Sequence, residues 1–325
     1  MIADYYVRLM YLCCASFFLV HTTVGAVVLL LVPAALRRAE NMAAESAAAF
    51  LFSLRFLPFV TAACAVAGLC IPSYLSLEPR SGVEPRGTLC AMAAALAMLS
   101  WLFAGGRALA ALVRTMEFGR DCRITGRKAQ LGSPAVPALI VDSRAPLLAL
   151  SGIVRPKLFL SRGVVEALRP EELRAALRHE DAHRRSRDNL KRLACLLVPE
   201  LAPFARSFAP LERNWAKFAE WAADDEASSG DSQRALWLAS ALLRVARMGS
   251  APQPEIAASL TACGCGLEAR VERLLRTKAA REEFGKQSRI VRHRELLLVG
   301  ACTAAIVLLP GAMACVHGLL ERLVR

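Results

Sequence analysis

Long uncharged apolar runs dominate the hydropathy pattern of this 325-residue chain. Four runs are long enough to cross a bilayer, which takes about 20 apolar residues in a helix: residues 9–36, 56–77, 87–106 and 296–320. The first run is too long for the apolar part of a signal peptide, and no basic cluster precedes it, so a retained span is predicted. The pattern therefore predicts a mainly α membrane protein with four transmembrane helices.

Between the third and fourth runs the pattern changes to that of a mixed domain. Apolar positions recur on one helical face from Leu173 through Leu197, without Gly or Pro until Pro199, which predicts one long helix. Further helices are predicted at about 211–227 and 233–248. Short apolar segments between Pro and Ser turns predict strands at 138–142, 147–151 and 157–160. This region is therefore predicted to be an α+β domain with a small antiparallel sheet.

The distribution of Lys and Arg orients these elements. The chain is 55% hydrophobic and carries a net charge of +13. Its basic residues cluster after the first and third runs and before the second and fourth, which by the positive-inside rule makes those ends cytoplasmic. The expected division is 1–115 for three transmembrane helices, 116–288 for a cytoplasmic domain, and 289–325 for the fourth helix and a short tail. The 78–86 loop is then expected on the external side. The expected location is a bacterial inner membrane.

The basic charge also has a nucleic-acid interpretation. The sequence shows no aromatic interleaving and no motif that enters a groove, and its positive charge lies next to the spans. Anionic membrane lipids are therefore the expected partner, and direct nucleic-acid binding is not expected.

The segment His179-Glu180-Asp181-Ala182-His183 carries the candidate chemistry. Two histidines four residues apart lie on one face of a helix, so their imidazoles converge on a single point. Glu180 is placed to reach a metal-bound water without binding the metal, as in the HExxH motif of zinc peptidases.

A catalytic zinc needs a third protein ligand and one open position. Glu220 is the preferred candidate, on the next predicted helix, and the alternative is that it is a solvated helical acid. Asp224 lies four residues later on the same face, where it can accept the free N–H of a ligand histidine. Asp225 and Glu226 are expected to point elsewhere.

These residues resemble the BlaR/MecR family of integral-membrane zinc metallopeptidases, which are gluzincins. The likeness extends over about 138–276 and is carried by the hairpin before the motif, the motif helix, the third-ligand segment and a later helix: 152–161, 171–188, 220–224 and 267–275. The resemblance implies that His179, His183 and Glu220 bind Zn²⁺, and that Glu180 is the general base and later the proton donor. It makes Asp224 a partner of a ligand histidine and Asp188 a structural acid.

The implied function is an endopeptidase that cleaves a cytoplasmic protein in transmembrane signalling. The substrate would be a winged-helix repressor or the protein's own linker, and a repressor or sensor protein would be its partner. Members that detect β-lactams carry an extracellular penicillin-binding sensor, which is not expected here. The alternatives are a membrane quality-control peptidase and a non-catalytic scaffold that retains the peptidase fold.

One residue departs from the usual motif. The positions between Glu180 and His183 are normally uncharged in zinc peptidases, and here one of them is Asp181. Asp181 either pairs with Arg178 or Arg185 at helical spacing, which would leave the site unaffected, or it changes the basicity of the site and weakens the enzyme.

Overall fold

The computed structural model describes residues 2–78, 87–129, 138–249, 258–259 and 266–276. The fourth predicted span, at 296–320, lies outside these residues, as does most of the segment that leads to it. The described part comprises long apolar helices and an α+β unit packed against them.

Three helical stretches are long and apolar enough to cross a membrane: Asp4–Glu40, Ala44–Leu77 and Thr88–Thr125, of 37, 34 and 38 residues. They correspond to α1 (Ile2–Glu40), to α2 (Ala44–Ala65) continued through a π-helical turn (Val66–Cys70) into α3 (Ile71–Leu77), and to α4 (Thr88–Thr125). The prediction of long apolar helices is confirmed for these three runs. Each is longer than the roughly 20 residues that a bilayer requires, so part of each helix extends beyond the hydrocarbon layer.

The long helices pack closely through small side chains and join at one end through polar groups. Alanines form most of the buried face of α4, which lets helix backbones approach one another. At the amino-terminal end of α1, the Tyr74 hydroxyl donates to the Tyr5 carbonyl oxygen at 3.1 Å. Arg8 pairs with Glu78 at 3.3 Å nearby. These contacts tie the start of α1 to the end of α3.

The sheet of the α+β unit is mixed. Its strands are β1 (Gly126–Ala129), β2 (Ala138–Val141), β3 (Leu148–Ser151), β4 (Lys157–Ser161) and β5 (Ala258–Ser259), in the order β1-β2-β4-β3-β5. β3 and β4 form an antiparallel hairpin, but β2 and β4 are parallel. The prediction of an antiparallel sheet was wrong for that pair. The physical reason is strand order: β3 lies between β2 and β4 in sequence but pairs with the other edge of β4, which brings β2 alongside β4 in the same direction.

The remaining helices are α5 (Arg162–Ala167), α6 (Pro170–Ser186), α7 (Asp188–Leu197), α8 (Ala209–Ser228), α9 (Ser232–Arg247) and α10 (Leu267–Leu275). The predicted single helix from Leu173 to Leu197 was wrong, because it divides at Arg187, whose φ is +53°. A left-handed residue other than Gly costs about 1–2 kcal/mol. Contacts made by the next two residues offset this cost.

Asn189 and Asp188 stabilise the break between α6 and α7. The Asn189 side-chain amide donates to the carbonyl oxygens of Leu150 and Gly152 at 2.9 and 3.0 Å, which fixes the start of α7 to the end of β3. Asp188 turns back to the α6 residue His183 at 2.7 Å. A continuous helix could not make both contacts.

Two apolar clusters hold the α+β unit in place. In the first, the sheet packs with α6, α9 and α10 through residues such as Leu148, Leu160 and Leu238. In the second, α8 packs with the carboxyl-terminal half of α1 and the amino-terminal half of α2. Helix α8, which carries Glu220, is therefore part of the same packed body as the membrane helices.

A buried arginine reinforces the contact between α2 and α8. Arg55 donates from Nε to Glu212 Oε1 at 2.9 Å and from Nη2 to the Val198 carbonyl oxygen at 3.1 Å. Glu200 lies 3.5 Å away, and the guanidinium sits over the Phe208 ring at 4.5 Å. A buried charge is tolerated when it is paired and hydrogen-bonded in this way.

Candidate metal centre

Helix α6 presents both motif histidines to the interior. His179 and His183 are fully buried, and their Nε2 atoms lie 3.1 Å apart with the rings nearly perpendicular. The start of the helix is fixed by Glu172, which accepts from the backbone N–H of Arg169 at 2.9 Å and from Ser240 Oγ on α9 at 2.6 Å. The helix is thereby anchored before the motif begins.

Helix α8 supplies the carboxylate predicted as third ligand. Glu220 is 2% exposed. Its Oε2 lies 3.4 Å from Nε2 of His179 and 3.5 Å from Nε2 of His183. One ligand atom from each of these three residues lies within 4.8 Å of the others, so the group could hold a metal ion. The structure therefore brings the two histidines together with a carboxylate that lies 37 and 41 positions after them in sequence.

The hydrogen bonding of Glu220 fits a bound cation. Its Oε2 is buried, and no donor among the described residues is aligned with it for a hydrogen bond. A buried carboxylate oxygen is costly without a well-aligned donor, and the Arg270 guanidinium supplies positive charge to it at 3.2 Å without an aligned hydrogen bond. Because this oxygen is directed at the two imidazole nitrogens, a metal ion between the three groups would satisfy it.

The other nitrogen of each imidazole faces an aspartate. Asp188 Oδ2 is hydrogen-bonded to Nδ1 of His183 at 2.7 Å. Asp224 Oδ1 lies 3.0 Å from Nδ1 of His179, close enough for a hydrogen bond but poorly aligned for one. Such carboxylates fix the tautomer and orientation of a ligand histidine. Of the two, the bond from Asp188 has the better geometry.

A residue that the sequence analysis did not select, Arg270 on α10, enters this centre. Its Nε and Nη2 donate to the two carboxylate oxygens of Asp224 at 2.9 and 2.7 Å. Its Nη1 lies 3.2 Å from Glu220 Oε2, and its Nη2 lies 3.4 Å from Nε2 of His179. The side chain is 3% exposed. Arg270 therefore contacts three of the residues predicted to form the site.

The sequence contains a signal for Arg270. Leu267, Val271 and Leu274 recur at helical spacing, and all three belong to the core that packs under the sheet. Arg270 lies on the same face of that helix, next to Val271 and one turn before Leu274. A charged residue on an apolar helical face indicates a buried ionic partner. Its partner could not be named from the sequence, because Asp224 lies 46 positions away.

The other motif residues occupy distinct environments. Glu180 is buried in α6, directly after His179 in sequence. Asp181 pairs with Arg184 at 2.8 Å and with Arg185 through Nε at 2.9 Å. The predicted pairing of Asp181 with Arg185 is therefore confirmed, with Arg184 as the second partner. These bonds direct the extra carboxylate to the cationic surface of α6.

The two rival carboxylates on α8 are also held away from the histidines. Both oxygens of Asp225 accept from Arg273 on α10 at 2.6 Å. Glu226 accepts from Arg185 at 2.7 Å. This agrees with the expectation that neither would face the site. The Arg273 pair also gives α10 a second ionic contact with α8.

Charge in the centre favours a cation between the carboxylates. Burial alone would lower the pKa of His183, but Glu220 and Asp188 outweigh it and raise the pKa to about 10. Burial alone would raise the pKa of Glu220, but His183, His179 and Arg270 hold it well below its usual range. The carboxylates thus stay ionised, and they attract positive charge, whether a proton or a metal ion, to the imidazoles.

A scan against protein-family models and searches of curated proteins and of solved structures found no match for this chain.

Proposed function

We propose that this protein is a membrane-embedded zinc endopeptidase. The observation that carries the proposal is the convergence of His179 Nε2, His183 Nε2 and Glu220 Oε2, from two helices, with buried Glu180 next to the first histidine. Two imidazoles and one carboxylate are a known donor set of catalytic zinc, which keeps a fourth position open. The metal identity is part of the proposal.

The group that these residues would hold determines the reaction class. A bound Zn²⁺ would supply Lewis-acid polarisation of the scissile carbonyl and of a water molecule. Imidazole nitrogen and carboxylate oxygen are ligands that suit this ion, and zinc sites built from them are common in hydrolases.

The side chains of the chain would perform the proton transfers and the positioning. Glu180 accepts a proton from the attacking water and delivers it to the departing amine. Asp188 accepts the Nδ1–H of His183, so that a cation bound at Nε2 would take the place of the second ring proton. Arg270 holds both oxygens of Asp224, so that this carboxylate stays beside His179. The result is a rigid donor set that does not depend on loop residues.

The expected setting follows from charge and from the BlaR/MecR-type resemblance. The peptidase unit would face the cytoplasm of a bacterial inner membrane, and its substrate would be a cytoplasmic protein such as a winged-helix repressor, or its own linker. Peptide substrates commonly add as a strand to a sheet edge. Among the described strands the sheet edges are β1 and β5.

Arg270 favours a second candidate function. Its guanidinium already supplies positive charge to Glu220 and Asp224, as a structural ion-pair network would. A non-catalytic scaffold that retains the peptidase fold would keep these contacts without a metal. The two functions differ in whether the Glu180 carboxylate takes part in a reaction.

The test compares cleavage with metal content in full-length protein reconstituted in lipid nanodiscs. The probes are fluorescein-labelled casein and self-cleavage, with zinc measured on the same samples. The enzyme predicts that Glu180→Gln retains zinc and loses cleavage, whereas His179→Ala loses both. A folded wild-type protein that takes up no zinc and cleaves neither itself nor casein, with Glu180→Gln indistinguishable from it, would favour the scaffold.

A further inference from the structure

The connection between α7 and α8, residues 198–208, has the composition of a membrane-contacting segment. Its sequence is Val-Pro-Glu-Leu-Ala-Pro-Phe-Ala-Arg-Ser-Phe. Loops on a water-exposed surface are usually polar. Here most positions are apolar, although the connection leads to the helix that carries Glu220.

Two side chains of the connection contact the apolar stretches of the membrane helices. Leu201 packs at Gly25 of α1, where an added Cβ would lie 2.3 Å from Leu201 Cδ2. Gly25 is 12 residues before Arg37, or about 18 Å along the helix. The Phe204 ring packs on Phe103 of α4 with a centroid distance of 4.8 Å. The connection therefore lies beside the apolar part of both helices.

Phe204 continues an exposed apolar surface of α4. Its exposed fraction is 81% in a structure that contains no lipid. Neighbouring side chains of α4 are exposed as well, namely Leu99, Leu102 and Phe103. Because α4 is long and apolar enough to span a membrane, this surface is one that acyl chains would cover.

The charged side chains of the connection are compatible with a low-dielectric environment. Glu200 is buried and lies 3.5 Å from Arg55 and 4.0 Å from Arg107. Its Oε2 also accepts the backbone N–H of Phe208 at 3.1 Å. Arg206 is more exposed and pairs with Glu212 at 3.3 Å, and its long side chain can reach the headgroups.

Several backbone groups of the connection are satisfied or absent, which lowers the cost of placing non-helical backbone near the membrane. Pro199 and Pro203 have no N–H to satisfy. The N–H groups of Val198 and Ala205 donate to the carbonyl oxygens of Ala194 and Ala202, each at 3.1 Å.

We infer that residues 198–208 insert into the cytoplasmic-side acyl region of the bilayer, with Phe204 in contact with lipid chains. The occupant of the exposed surface formed by Phe204 and α4 is lipid, because this surface is continuous with that of a membrane-spanning helix. Helix α8 begins at Ala209, so Glu220 lies about 17 Å along the helix from the lipid boundary. If the proposed function holds, the substrate segments closest to the centre are those next to the membrane.

Fluorine NMR on the full-length protein in phosphatidylcholine nanodiscs tests the inference without removing a side chain. 4-Trifluoromethylphenylalanine is placed at position 204 in one sample and at position 154 in the other. Val154 is the matched control, because it is apolar and 87% exposed, in the turn between β3 and β4. That hairpin packs near Phe118, about 18 Å past the end of the third apolar run.

Doxyl-labelled phosphatidylcholine should broaden the signal at 204 several-fold more than the signal at 154. An aqueous gadolinium chelate should give the reverse order. Equal broadening of both positions by the chelate would overturn the inference, because Phe204 would then face water. Failure of both reagents to reach position 204 would also overturn it, since protein, such as residues 296–320, would then cover the ring. Neither outcome depends on zinc or on cleavage.

Discussion

Arg270 holds both carboxylate oxygens of Asp224, at 2.9 and 2.7 Å, and the same guanidinium lies 3.2 Å from Glu220 Oε2. One side chain of α10 thus contacts two buried acids of α8, one beside each end of the His179 ring. A cation at the centre would share Glu220 with Arg270. Metal binding and the docking of α10 are therefore expected to be coupled.

The first prediction concerns that coupling. In protein stripped of metal by a chelator, Arg270→Met should lower stability by about 3–5 kcal/mol, because it leaves two buried carboxylates without their cation. Added zinc should then raise the melting temperature of the variant more than that of the wild type. Differential scanning fluorimetry in nanodiscs measures both.

Arg273→Met is the matched control, because it removes the neighbouring α10–α8 ion pair with Asp225 and leaves the histidine centre intact. It should destabilise the protein without enlarging the zinc response. If the two variants respond equally to zinc, Arg270 acts only as a tether for α10.

The second prediction concerns the orientation of His183. Asp188→Ala should weaken zinc binding about 10–100-fold, because loss of a carboxylate partner frees the tautomer and rotation of a ligand histidine. Competition with a fluorescent zinc chelator measures the affinity. Lys191→Ala, which removes the other contact of Asp188 at 3.1 Å, should leave the affinity near that of the wild type. Unchanged affinity in Asp188→Ala would remove its proposed role.

The third prediction separates the carboxylates of α8. Glu220→Ala should reduce zinc affinity far more than Asp225→Ala, since only Glu220 approaches both imidazoles. Asp224→Ala should fall between them, with a loss of about 10–100-fold. Equilibrium dialysis on the three variants gives the order. Equal losses for Glu220→Ala and Asp225→Ala would mean that the ligand set is wrong.

The fourth prediction uses pH and a residue outside the centre. Burial alone would raise the pKa of Glu172, but Ser240, the Arg169 backbone N–H and Arg244 outweigh it and leave the pKa below its ordinary value. A lowered folded-state pKa stabilises the protein above the ordinary pKa of about 4.3, and the effect is lost as the pH falls through the folded-state value.

Glu172→Gln should therefore cost about 1.5–3 kcal/mol at pH 7, and the difference from wild type should shrink toward pH 3. Thermal unfolding across this range measures the difference. Glu171→Gln is the control, because its exposed pair with Arg174 contributes little. A Glu172→Gln penalty that stays constant with pH would mean that the carboxylate charge is not what fixes the start of α6.

The fifth prediction concerns orientation in the membrane. Reporter fusions within residues 78–86 should report the external side, and fusions at Gly230, in the turn between α8 and α9, should report the cytoplasm. The basic clusters at the helix ends are the reason. The reverse pattern would invert the topology.

The elements that the sequence predicted well are those with strong periodicity or motif spacing. Three predicted apolar runs are long helices in the structure. The histidine pair lies on one helix and Glu220 and Asp224 lie on the helix that faces it, because the 3.6-residue period fixes which side chains share a face. The break at Arg187 was missed because no Gly or Pro marks it. Its cause is a pair of long-range contacts, from Asn189 to β3 and from Asp188 to His183.

Two other features depend on contacts that local patterns do not contain. The parallel pairing of β2 with β4 is set by which strands become neighbours after folding. The entry of Arg270 into the centre requires α10 to pack on α8, 46 positions from its partner Asp224. The apolar face of α10 indicated a buried arginine, but only the tertiary structure shows which acids it meets.

Zinc stoichiometry and coordination in the purified full-length protein test the central proposal most directly. Elemental analysis should give about one zinc per chain, and the zinc K-edge absorption fine structure should show imidazole and oxygen ligands at about 2.0–2.2 Å. Glu220→Ala should lose one oxygen ligand or the metal itself. A folded wild-type protein that takes up no zinc under zinc-replete conditions, or zinc whose coordination is the same in Glu220→Ala, would contradict the proposed enzyme.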